Sequence, residues 1–241
     1  MPRGISTKRG KNKGMKYEEK IAESLKKFNL ICDNYESAGG SEKPDQYIRI
    51  NNKCYYIEIK QSKSADYGQI AIKYSLEKEQ WYITKDNANL DKQSKINLIE
   101  EANFLEKINN LWNETPKRFT VDRNEFTEAD MNFDYDYFSK GGEVWGDYSI
   151  SLICDYYNAI DVYYIQIKGL GLFYMGQNPA NLEIPALDGI TKLRARIKRA
   201  NSRHIKNYNF FIALKFQVEK SLRSKLSLDN ENFLLQLSNS K

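Results

Sequence analysis

Asp45, Glu58 and Lys60 are the residues from which chemistry can be argued. Asp45 follows Pro44, and twelve residues separate it from the run Glu58-Ile59-Lys60. Residues two apart on a strand project from the same face, so Glu58 and Lys60 share one. Asn51-Asn52 has turn composition, because asparagine tolerates positive φ. A hairpin there lays the strand of Asp45 antiparallel beside the strand of Glu58. Asp45 then comes toward the open end of that strand. Two converging carboxylates form a hard-oxygen site suited to Mg²⁺, with Mn²⁺ as a substitute. The Lys60 ammonium beside them can orient an attacking water or help deprotonate it. It can also offset charge on a phosphoryl oxygen.

Other chemistries are thinner. The chain has 241 residues and a single histidine, His204, which excludes multi-histidine zinc sites. Cys32, Cys54 and Cys154 are odd in number and scattered, so neither a disulfide framework nor a thiolate zinc site is expected. That usage fits a reducing compartment. Charged residues make up 29 % and apolar residues 41 %, the balance of a globular domain. The longest strictly apolar run, 210–214, is too short for a membrane span, and no apolar stretch follows the basic start as a secretory signal requires. A cytoplasmic protein without a membrane partner is the expectation.

The net charge of +5 is unevenly spread. Residues 1–16 carry six cations and no acid. Residues 191–206 carry seven, among them Lys192, Arg194, Arg196, Lys198, Arg199 and Arg203, again without an acid. Residues 114–147 hold nine acids against four bases. Two all-basic blocks point to a polyanion, and DNA is the expected partner.

These groups need elements to position them. Tyr17, Ile21, Leu25 and Phe28 form one helical stripe. Short strands are expected at 30–35, 45–50 and 54–60, with the glycine- and serine-rich loop Ser37-Ala38-Gly39-Gly40-Ser41 between the first two. Residues 69–81 read as a helix, with a strand at 70–74 as the alternative, and 95–112 as a second helix. The acidic stretch 113–147 reads as loops. Strands are expected at 149–155, 162–168 and 170–175, the last two joined at Gly169, and at 209–216. Residues 190–200 read as a basic helix, with Lys192, Arg196 and Arg199 on one stripe and Arg194 and Lys198 on another. A polar helix or two closes the chain over 217–236. Asp161 with Gln166-Ile167-Lys168 mimics the acidic motif, but a neutral amide is a poor Mg²⁺ ligand, and this reads as an ordinary strand. Mixed order argues an α/β fold. The expected organisation is a basic arm (1–13), a core (14–85), a helical and looped insertion (86–147) and a β-rich remainder with the basic segment (148–241).

The order helix, strand, loop, Asp45 strand, turn, Glu58-x-Lys60 strand resembles the PD-(D/E)XK nuclease superfamily over roughly residues 14–70. Gly14 followed by Glu18 is similar to the start of the first helix in archaeal Holliday-junction resolvases, as is the loop ending at Ser41. The resemblance implies a restriction-endonuclease-like mixed sheet flanked by helices, here with an acidic insertion and added C-terminal β and α elements. It implies a homodimeric Mg²⁺-dependent endodeoxyribonuclease with Asp45, Glu58 and Glu18 as metal ligands. Glu19 is the neighbour that competes for the slot of Glu18. Lys60 would assist the attack, and Gln69, on the helix following the strand, would support the site. Ser41, Tyr67 and the six cations of the 192–203 block would contact DNA. The added mass fits a type II restriction enzyme, the loop and first helix fit a junction resolvase, and a DNA-binding protein without catalysis is the competing class.

Overall fold

The computed structural model describes residues 13–32, 45–62, 67–86, 88–199 and 208–239. The arm, Ser41 and Arg203 lie outside them, as does the side chain of Arg199. The fold is mixed α/β, as expected.

Helix α1 (Lys13–Lys27) packs Tyr17, Ile21 and Leu25 onto strands β1 (Gln46–Ile50) and β2 (Lys53–Lys60). It ends at Asn29, whose φ of 61° turns the chain so that the Leu30 amide donates to the Leu25 carbonyl. Asn51 and Asn52 both take positive φ and close the β1–β2 hairpin, the primed geometry that matches strand twist. β2 buries three residues in a row, Ile57, Glu58 and Ile59, because it is covered on both faces. Its other neighbour is β6 (Val162–Ile167), which runs parallel to it and turns through Gly169 into β7 (Gly171–Tyr174). The resulting sheet has the order β1-β2-β6-β7. The 161–168 motif is therefore strand, as expected. Gln166 is fully buried on the α1 side, donating to Tyr17 Oη (3.1 Å) and Ser227 Oγ (3.0 Å) and accepting from the Leu228 amide (2.9 Å).

The second sheet overturns two helix expectations. Residues 69–81 form β3 (Gly68–Ser75) and β4 (Gln80–Tyr82), and the basic segment forms β8 (Gly189–Arg199), paired to β9 (Tyr208–Val218). In both, apolar residues recur every second position, Ile70 and Ile72 in one, Leu193, Ala195 and Ile197 in the other, and burial follows that period. With β5 (Val144–Ser149) on one edge, the order is β4-β3-β9-β8-β5.

The expected helix 95–112 divides into α2 (Leu90–Glu101) and α3 (Phe104–Leu111) at Asn103, which takes φ 50°. The expected loops of 113–147 contain α4 (Lys117–Thr120), α5 (Glu128–Phe138) and β5. Thr127 and Asp130 cap α5 reciprocally, a local signal that fixes its start. The expected strand 149–155 is helix α6 (Ser151–Asn158), with five of its eight residues buried. A short apolar run does not distinguish a fully buried helix from a strand. One helix, α7 (Glu231–Asn239), follows turns in the closing segment. Residues 30–32 are not strand.

α6 joins one face of the first sheet to the inner face of the second in a single apolar core. Trp81, Trp112, Phe138 and Phe210 interlock at its centre with ring separations from 4.6 to 6.1 Å. A disulfide joins Cys32 to Cys54 across 6.3 Å between Cα atoms, correcting the expectation of unpaired thiols. The odd count misled because two scattered cysteines meet where the end of α1 passes the start of β2. Cys154 is free and buried. Among the described residues, no helix is long and apolar enough to cross a membrane.

Candidate active site

The β1–β2 register pairs Gln46 with Ile57, so the next step outward sets Asp45 beside Glu58. Asp45 is anchored there, its Oδ2 accepting from the Ile59 amide at 2.8 Å. Glu58 and Lys60 project from the same face of β2, as alternation requires. Glu58 Oε1 accepts from Lys60 Nζ, and both side chains are largely withdrawn from solvent. The expected convergence of Asp45, Glu58 and Lys60 is therefore present in the geometry.

Its electrostatics are strained. Burial and then the charge of Glu58 push the Asp45 carboxyl up from 3.8 to about 7, against the pull of Lys60 and the Ile59 amide. Burial alone would lower the Lys60 ammonium pKa, but Glu58, Asp45 and Glu18 outweigh it and raise it. Lys60 thus stays cationic at neutral pH. Burial raises the Glu18 carboxyl, and Lys60 and Glu58 act on it with opposite signs, so α1 delivers Glu18 within electrostatic reach. Among the described residues, however, no three acidic, histidine or cysteine side chains group closely enough to hold a metal by themselves. The carboxylates brought side by side are Asp45 and Glu58.

The walls of the site were not legible in the sequence. Tyr67 lies with its ring 5.3 Å from Lys60 Nζ. It is 3 % exposed, and its hydroxyl has no partner among the described residues. That burial rules out the expected base stacking or phosphate contact from a surface position. Tyr157 Oη donates to the Tyr67 carbonyl at 3.2 Å. Beside it, Tyr156 Oη donates to Asp91 Oδ1 at 2.7 Å, and Asp91 is also ion-paired with the buried Lys95. Gly68 is needed here. Its φ is 152°, and a Cβ would stand 2.9 Å from Lys95 Cε. Tyr156 and Tyr157 belong to α6, just beyond the expected strand 149–155.

Gln69 departs from expectation. It sits on β3, not on a helix, and its exposed side chain accepts from Lys198 Nζ at 2.8 Å on the outer face of the second sheet. The basic block also changes form. On β8, Lys192, Arg194, Arg196 and Lys198 all occupy one face instead of two helical stripes. Lys192 pairs with Asp147 at 2.9 Å, and Arg194 pairs with Glu143.

No family model matches the chain, and no curated protein matches it in sequence. Among solved structures it is similar to HhaI endonuclease in complex with DNA, at 12 % identity and a TM-score of 0.43, covering 96 % of this chain and 100 % of that one. Superposition at that level is too loose to carry function from one chain to the other.

Proposed function

We propose that this protein is a Mg²⁺-dependent endonuclease that hydrolyses DNA phosphodiester bonds, with a restriction-endonuclease-like core. The observation that carries the reading is the convergence of Asp45, Glu58 and Lys60 at one end of the β1–β2 hairpin, with perturbed protonation. Strongly shifted groups cluster where chemistry is done.

The donor set fits the cation. Mg²⁺ keeps several waters and usually takes one or two protein carboxylates together with substrate phosphate, which suits a pair of carboxylates rather than a closed cage. Asp45 and Glu58 would hold it, with Glu18 at the periphery. When bound, it supplies Lewis acidity and a more acidic water. The residues do the rest. Lys60, fixed as an ammonium against Tyr67 and Glu58, offsets charge on a phosphoryl oxygen and is not the base. Asp45, whose carboxyl titrates near neutrality without a metal, would give up its proton when the cation binds. The basic face of β8 contributes phosphate contacts that position DNA. Cutting both strands of a duplex calls for two such sites, hence a homodimer.

The test is incubation of plasmid and branched DNA with wild type and Glu58→Ala, in Mg²⁺, Mn²⁺ or EDTA. Discrete metal-dependent fragments that vanish in the variant support a restriction-type enzyme. Cutting confined to branched DNA selects a junction resolvase. Binding without cleavage by either protein, in either metal, leaves a DNA-binding protein and removes the catalytic reading.

A further inference from the structure

We propose that Gln166 is a positioning residue of the candidate active site, gripping Tyr17 so that its chain neighbour Glu18 is presented to Asp45, Glu58 and Lys60. This rests on the nuclease reading, which gives Glu18 a part at the edge of the cation site.

The parallel register of β2 and β6 sets Gln166 beside Ile59 and Ile167 beside Lys60. The Gln166-Ile167-Lys168 run therefore stands alongside Glu58-Ile59-Lys60, shifted by one place, and the Lys168 amide donates to the Lys60 carbonyl at 2.9 Å. That shift puts Gln166 on the face opposite to Glu58, beneath α1. Both ends of the run hold Tyr17. Gln166 Nε2 donates to Tyr17 Oη at 3.1 Å, and Lys168 Nζ lies 5.3 Å from the Tyr17 ring centroid. The position calls for an amide. Nε2 donates to two hydroxyls, Tyr17 Oη and Ser227 Oγ, while Oε1 accepts from the Leu228 amide. A carboxylate accepts but cannot donate. The neutral group that makes this run a poor cation site is the group that its contacts require.

The hold on Tyr17 is directional. Its hydroxyl donates to Asp229 Oδ2 at 2.6 Å while accepting from Gln166, and Asp229 pairs with Lys20, three residues further along α1, at 2.9 Å. Tyr17 is 2 % exposed and Gln166 fully buried, so water does not compete for the bond between them. The apolar contacts of Ile21 and Leu25 select which face of α1 is buried, but such contacts are non-directional and tolerate a small rotation or slip. Hydrogen bonds weaken steeply with misalignment and do not. Successive residues stand about 100° apart round a helix, so fixing Tyr17 beneath α1 fixes the bearing of Glu18. Glu18 is half-buried, and its charge acts together with those of Lys60, Glu58 and Asp45. A carboxylate that must fall among three other charged groups depends on that bearing. Partners that orient a metal ligand from behind typically matter about tenfold or more in metal affinity.

The test titrates the full chain with Mn²⁺ in the absence of DNA and reads the free ion by paramagnetic resonance. Urea denaturation and single-turnover cleavage of plasmid DNA in Mg²⁺ are measured in parallel. Gln166→Met removes the amide at similar size, and Tyr17→Phe keeps the ring and removes only the hydroxyl. Each should weaken Mn²⁺ binding about tenfold in a chain that urea shows to be folded. Glu18→Ala should cost about as much. Adding Tyr17→Phe to Glu18→Ala should cost nothing more, because the hydroxyl acts through Glu18. A merely structural role gives losses that add, to about a hundredfold in the double variant, and that result would overturn the proposal. Should Gln166→Met fail to fold, Tyr17→Phe and its double variant decide the matter. A wild type that binds Mn²⁺ and cleaves, with Tyr17→Phe matching it in both, sinks only this inference. A wild type that neither binds Mn²⁺ nor cleaves sinks the nuclease reading and this inference with it.

Discussion

β2 and β8 both alternate charged and apolar residues, yet their charges end in opposite environments. β2 lies inside its sheet, with α1 on one face and α6 on the other side of the core, so Glu58 and Lys60 are withdrawn from water and bound to each other. β8 is covered on one face only, so Lys198 is exposed and Lys192, Arg194 and Arg196 are half-buried, with Lys192 and Arg194 paired to Asp147 and Glu143. Burial turns the first pattern into a few strongly coupled groups fit for chemistry. Exposure turns the second into a row of weakly coupled charges fit for binding.

Substitutions should separate the two regions cleanly. The largest effect is expected at β2. Lys60→Ala should lower the cleavage rate about a thousandfold while leaving DNA affinity within about twofold, as single-turnover cleavage and anisotropy would measure. Equal losses in rate and affinity would break the division of labour.

The next effect is on stability. Asp45 titrates at 3.8 in its ordinary state and at about 7 in the fold, so the folded chain holds the extra proton between those values. Its contribution is fully present below about pH 4 and is lost as pH rises through 7. Asp45→Asn keeps an oxygen for the Ile59 amide and removes that loss. Without divalent metal, the variant should be more stable than wild type at pH 8, by up to about 4 kcal/mol, and no more stable at pH 4. Chemical denaturation at the two pH values checks this. Adding Mg²⁺ should close the gap by stabilising the wild type alone.

A smaller effect is expected at β8. Arg196→Ala with Lys198→Ala should flatten the salt slope of duplex binding by about 1.8 and weaken binding uniformly across sequences. The single-turnover rate at saturating DNA should not move. A change in that rate would show that the basic row also aligns the scissile phosphate.

The smallest effect concerns the wall between the regions. Tyr67→Phe removes a buried hydroxyl that has no partner among the described residues but keeps the ring against Lys60. It should stabilise the protein by about 1 kcal/mol in urea. A loss of stability instead would reveal a partner for that hydroxyl.

Much of the chemistry was legible before the fold. The Asn51-Asn52 turn and the two-residue spacing of Glu58 and Lys60 determine a hairpin whose register carries Asp45 to Glu58, because turn and strand geometry are local. The alternation of Leu193, Ala195 and Ile197 was also local. Reading the segment as a helix overlooked a period-2 signal that the residues contain. The capping pair Thr127 and Asp130 was equally local and marks a helix inside what reads as loop. Other features were beyond any local reading. Nothing in residues 151–158 says that Tyr156 and Tyr157 will line the site, since a helix's own residues do not name the elements it packs against. The joining of Cys32 to Cys54 and the burial of the Tyr67 hydroxyl without a partner among the described residues depend on which elements meet. By itself the sequence determined the hairpin, the stripe of α1 and the surplus of cations, all of which follow from neighbours a few residues apart. Only the tertiary structure decided which charges are buried, because burial is a property of what packs against a strand and not of the strand.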